Sequence, residues 1–72
     1  MGAAKYLVTV RYADCLYPAA YFFNESALAN IFYYDMRASH CEGIYVDGTQ
    51  VQLWVLSDDG KQWILKLSSD NA

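Results

Sequence analysis

Few side chains in this chain are of types that could do chemistry. The only histidine, His40, adjoins Cys41, and Cys15 stands far upstream. A thiol nucleophile needs a base beside it and a further group to orient that base. Neighbouring residues of an extended chain point to opposite faces, so their adjacency works against a His40 and Cys41 pair. As metal ligands, Cys15, His40 and Cys41 fall short of the tetrahedral set that structural zinc takes, and only a site shared between two copies completes it. Asp58-Asp59 is a carboxylate pair, but Gly60 follows it, and aspartate is favoured in tight turns for backbone reasons. The glycines are scattered and make no phosphate-cradling loop. This inventory leads us to expect no catalytic residues, no metal and no cofactor; the expected action is binding.

The rest of the composition bounds what can be bound. In 72 residues there is room for one domain, 1–72, and one core. A chain of this size buries only about 60% of the surface its unfolded form exposes. Apolar residues make up 56% and aromatics 17%, which is too hydrophobic for disorder and more aromatic than a minimal core needs. The surplus must reach the surface, where a contiguous apolar patch marks a contact site. The net charge of −3 and the scattering of Lys5, Arg11, Arg37, Lys61 and Lys66 argue against direct nucleic-acid binding, which needs clustered bases. No run approaches the ~20 apolar residues of a membrane span, and the N-terminus lacks the pattern of a signal peptide. A cytoplasmic location follows as an expectation, with Cys15 and Cys41 as reduced, half-buried thiols.

These residues must be positioned by local elements. Residues 5–12 alternate in character and are rich in β-branched and aromatic types, predicting a strand with Tyr6, Val8, Val10 and Tyr12 facing the core. Residues 13–24 connect it to a helix, and Pro18 fits the first position of a short extra helix near 18–23. Asn24 as a cap and Glu25 at the positive dipole end start the main helix, over about 25–38. Its expected buried stripe is Ala27, Leu28, Ile31, Phe32, Tyr34 and Ala38, with Ser26, Asn30, Tyr33 and Arg37 opposite. Asp35 projects into that stripe, where a carboxylate must be paired or near the rim.

Asp47-Gly48 signals a two-residue turn between strand 44–46 and strand 49–56. Asp58-Asp59-Gly60 reads as a three-residue loop pairing Leu53 with Leu65, Val55 with Trp63 and Val51 with Leu67. The expected fold is α+β, in the order β-α-β-β-β, with a mostly antiparallel sheet and one main helix packed on one face. That register sets Trp54 directly opposite Ile64 on the outer face, with Leu56 beside them and Leu7 near if its strand borders the last. Two outcomes are open for this face: residues 13–23 fold over it, or it is a binding surface. With the first strand rising, the helix descends, the next strand rises to Asp47, the third descends to Asp58-Asp59 and the last rises again. Asp35, Glu42, Asp58 and Asp59 therefore gather at the lower end of the sheet, and Asp14, Glu25 and Asp47 at the upper. Either acidic end suits a basic groove built for phosphates.

A short, acidic, aromatic-rich α+β chain without catalytic equipment resembles, over its whole length, the small phage-encoded inhibitors of the anti-CRISPR type. What the resemblance implies is a stoichiometric inhibitor, acting in a bacterial host, that binds a CRISPR-Cas effector subunit and blocks target DNA. Such blocking uses either acids in place of phosphates or aromatic-mediated steric occlusion. The expected contact residues are Asp58, Asp59, Glu42 and Asp35, with Trp54 and Ile64 as apolar anchors. The expected partner is a protein, such as a basic Cas subunit. The alternative is a homo-oligomeric or accessory interaction module using the aromatic sheet face, so that the chain is a monomer or a homodimer.

Overall fold

The computed structural model describes residues 4–40 and 48–69. It has the strands β1 (Tyr6–Arg11) and β2 (Ala19–Phe23), the helix α1 (Ser26–His40), and the strands β3 (Gln50–Leu56) and β4 (Trp63–Ser68). The strands form one antiparallel sheet in the order β2-β1-β3-β4, with the helix packed on one side of β1, β2 and β3. The α+β class and the one main helix packed on a mostly antiparallel sheet therefore agree with expectation, and the helix lies within two residues of its predicted bounds. The order among the described residues is β-β-α-β-β rather than β-α-β-β-β. The predicted strand 44–46 and its Asp47 turn fall outside the described residues. Both neighbours of β3 over its length are β1 and β4.

The core forms where the two central strands meet the helix. Directly paired residues share a face, so Val8 with Leu53 and Val10 with Val51 point together toward α1. All four are at most 2% exposed, as are Ala29 and Tyr33 from the helix. Burying each such aliphatic side chain contributes about 1.5–3 kcal/mol. Tyr6, Tyr12, Phe23, Phe32, Met36 and Leu67 pack around this centre. The inward set predicted for β1 is thus correct.

Residues 18–23 are not a helical turn. Ala19–Phe23 is a strand that pairs with β1 through Tyr6 with Phe23, Val8 with Tyr21 and Val10 with Ala19. Aromatic side chains fit a pleated, half-buried surface, and Pro18, which has no N–H, stands just ahead of the strand on the sheet edge where that loss is tolerated. Tyr21 and Phe23 face the helix and meet Phe32 at ring-centroid distances of 4.7 and 5.4 Å. Because β2 brings the chain back down before the helix begins, α1 ascends instead of descending. Its last residue, His40, meets Tyr12 edge-on at 5.5 Å, beyond the upper end of β1.

The helix also presents a different face from the one predicted. Ala29 and Tyr33 are buried and Met36 is half-buried, while Leu28, Ile31 and Tyr34 are 51%, 60% and 50% exposed, and Ala27 and Ala38 are exposed too. Two physical reasons favour this rotation. The Leu28 and Ile31 stripe carries Asp35, and turning it inward would bury an unpaired carboxylate at a cost of several kcal/mol. Ala29 lets the helix approach the sheet closely, and the aromatics of β2 draw Phe32 to that side.

The hairpin between β3 and β4 is one residue out of the predicted register. The Ser57 N–H donates to the Gln62 carbonyl at 2.9 Å, so the loop contains Asp58, Asp59, Gly60 and Lys61. Gly60, with φ +72, takes the left-handed position as expected. Leu56 then pairs with Trp63, Val55 with Ile64 and Trp54 with Leu65. The register shifts between Leu53 and Trp54, where Lys66 is the extra residue, and beyond it Leu67 pairs with Leu53 and faces inward.

These burials predict that Tyr33→Ala destabilises the protein by about 3 kcal/mol or more, whereas Leu28→Gln and Ile31→Gln each stay within about 0.5 kcal/mol. Urea unfolding followed by circular dichroism reads both; the opposite ranking would turn the helix back to the Ile31 face.

Candidate functional site

A one-residue slip moves every side chain to the other face, and the hairpin register therefore decides what the outer side of the sheet displays. Trp63 and Leu65 point outward beside Trp54 and Leu56, and Ile64 does not. Ile64 lies on the helix side opposite Val55, and it is 52% exposed because the helix does not reach β4. The expected pair of Trp54 with Ile64 is replaced by Trp54 with Leu65. On the other flank, Leu7 pairs with both Trp54 and Phe22, which adds Phe22 to the same face. Here sequence reasoning missed Phe22, Trp63 and Leu65. The aromatic strand-like run Ala19–Phe23 was the signal that could have found Phe22.

This outer face has an apolar centre. Leu7 is only 9% exposed although it points away from the helix layer. The Phe22 and Trp63 rings come from the two outermost strands, yet approach to 6.0 Å with planes at 51°. Twist and curl of the sheet bring them together. The Trp54 indole N–H donates to Thr9 Oγ1 at 3.1 Å, fixing the ring and satisfying its one polar atom. Phe22 and Leu65 remain 59% and 42% exposed. By strand alternation Lys5, Thr9, Arg11, Gln50 and Gln52 frame the centre, and none of these is acidic. Residues 13–23 do not fold over the face. They form a hairpin loop and an edge strand that extends it.

The acids do not gather as expected. Asp58 and Asp59 are exposed in the lower turn, with Lys5 lining the same open depression as both. Asp35 is exposed on the outer side of the ascending helix, which puts it on a different surface. Glu42 lies outside the described residues. Glu25, expected at the upper end, is at the lower end, where its carbonyl accepts the first helical bond from Ala29 N–H at 3.2 Å. Reversal of the helix direction by β2 accounts for the placement of Glu25 and Asp35.

Asp59 has a structural task. Its Oδ1 accepts from Ser57 Oγ and, at 3.0 Å, from the Lys61 N–H, while Ser57 Oγ accepts from the Gln62 N–H at 3.3 Å. The Ser57 hydroxyl and then the Lys61 amide hold this carboxyl below the usual aspartate range. Cys15 is exposed rather than half-buried, in the β1–β2 loop with its Sγ 3.7 Å from Asp14 Oδ1. His40 ends the helix against Tyr12, and Cys41 lies outside the described residues. Among the described residues no group of histidine, cysteine and acidic side chains is arranged to hold a metal. No helix there is long and apolar enough to cross a membrane.

Compared with protein-family models, curated proteins and solved structures, the chain matches none.

Because the folded state lowers the Asp59 pKa, the ionised carboxylate adds stability above the usual aspartate range, and that contribution disappears as pH falls through the lowered value. Asp59→Asn should therefore be less stable than wild type at neutral pH and converge with it in strong acid. Thermal melts across the acid range check this, and parallel curves for Asp59→Asn and wild type would remove the carboxylate from the turn.

Proposed function

We propose that this protein is a non-enzymatic binding module that contacts a protein partner through the outer face of its sheet. The observation that carries this reading is the aromatic and aliphatic surface of Phe22, Trp54, Trp63 and Leu65, set over a buried Leu7 with no second layer on it among the described residues. Rings held by neighbouring strands offer large contact area with little side-chain entropy left to lose, which is the property of interface anchors. Trp54 is already oriented by Thr9. The polar frame of Thr9, Gln50 and Gln52 suits the hydrogen-bonding rim of such a patch.

In the inhibitor form of this reading, the partner is a CRISPR-Cas effector subunit, and steric occlusion by this face blocks the target DNA. The acidic form has less support. Asp59 is engaged in its own turn, Lys5 stands beside Asp58, and Asp35 is elsewhere.

Affinity capture from bacterial lysate, with quantitative mass spectrometry, should show retained protein lost with Phe22→Ser or Leu65→Lys and kept with Asp58→Lys. Replacing an anchor should weaken binding by at least about 2 kcal/mol, or about 30-fold in Kd, with the folded circular dichroism spectrum retained. Loss with Asp58→Lys alone would return the contact to the acidic turn.

A further inference from the structure

Among the described residues the sheet has two open edges, β2 and β4, and they are built differently. At β4 the ladder is interrupted by the extra residue Lys66, so a bulge and an exposed charge blunt that edge; these are standard devices against edge-to-edge pairing. At β2 there are none. Ala19-Ala20-Tyr21-Phe22-Phe23 has no charge, no proline within it and no bulge in its pairing with β1, and its three central residues are exposed. No strand lies beyond it among the described residues.

The order of residue sizes along β2 fits one particular occupant. Two copies of this strand, antiparallel about a twofold axis at Tyr21, set Ala19 opposite Phe23 and Ala20 opposite Phe22, with Tyr21 opposite itself. Each small residue then faces a large one, and no charges are opposed despite the net charge of −3. The backbone alternation agrees with this register. The Leu56 N–H donates to the Lys5 carbonyl, so the odd-numbered residues of β1 bond β3 and the even-numbered ones bond β2. Val10, Val8 and Tyr6 thus engage Ala19, Tyr21 and Phe23, and the N–H and C=O groups of Ala20 and Phe22 point outward. Those are the groups that an Ala20 and Phe22 pair exchanges. Continued along the chain, the register carries Leu16 and Tyr17, both 83% exposed, alongside the partner copy's Glu25 and its neighbours at the helix start.

We propose that the protein forms a twofold homodimer by antiparallel pairing of β2 with β2, making one continuous sheet across two copies. The contact is isologous and consumes both unprotected edges, leaving the Lys66 edges outermost, so assembly stops at two. The Phe22 side chains of both copies then lie near the dyad on the outer face, which lets one dimer present two aromatic patches side by side. The inference rests on the edge and not on what that face binds.

Sedimentation across a concentration series should give a species of twice the chain mass. Ala20→Pro should shift it to monomer with the helical circular dichroism signal retained, because that N–H points away from β1 and an edge position tolerates proline. A second test does not depend on that variant folding. In a Cys15→Ser, Cys41→Ser background, Tyr21→Cys places two thiols across a non-hydrogen-bonded pair with Cα atoms about 4.5 Å apart, within disulfide reach. Mild oxidation should cross-link Tyr21→Cys selectively over Ala20→Cys. A wild-type monomer at every concentration overturns the proposal, as does a dimer in which the two cysteine variants cross-link equally or not at all.

Discussion

The pairing of β1 with β3 is the constraint on which the rest of the molecule depends. Val8 against Leu53 and Val10 against Val51 supply the buried aliphatic floor, and Ala29 and Tyr33 of the helix join them at near-complete burial. In so small a core, two central strands and one helix side must exclude water together, since neither layer alone buries enough apolar surface. The outer strands attach to this floor from either side and adapt to it. β2 follows β1 without interruption, while β4 needs a bulge at Lys66 to reconcile its turn with Leu67 in the core.

Among the described residues, one helix on one sheet leaves the second side of the sheet without a layer. In an ordinary two-layer domain that side is polar. Here the rings of Phe22 and Trp63 arch over Leu7, and Thr9 holds Trp54. The chain's aromatic surplus is thus placed by strand register, with part of it sheltering itself and part left at the surface. The same economy applies to the helix. Its more apolar stripe by count is turned outward, because Asp35 makes that stripe expensive to bury and Ala29 makes the other one close-fitting.

Charge is distributed by turns and helix direction more than by any shared surface. Asp59 serves the backbone of its hairpin, Glu25 stands at the helix start, and Asp35 lies on the helix exterior. This dispersal weakens any reading in which carboxylates act as a row. It also leaves the outer sheet face with lysine and arginine only at its margins.

Local chemistry was enough to establish the strand at 6–11, the helix from Ser26, the strand from Gln50 and the glycine-bearing turn at Gly60. Each of these rests on nearest-neighbour pattern: alternation, a run free of glycine and proline, and positive φ; the residue that opens the helix is Glu25 and not the expected cap Asn24. The alternation of β1 named its core residues correctly. What only the tertiary structure decided were the long-range choices. Ala19–Phe23 is a strand because β1 offers it an edge, and a propensity for extended structure is realised only against a partner. The helix face was settled by desolvation of Asp35 and by aromatics arriving on β2. The outer face was settled by Lys61, whose amide turns to Asp59 and so lengthens the loop by one residue. A single residue of register exchanges Ile64 for Trp63 and Leu65, and no local pattern distinguishes the two registers until the turn's hydrogen bonds are made.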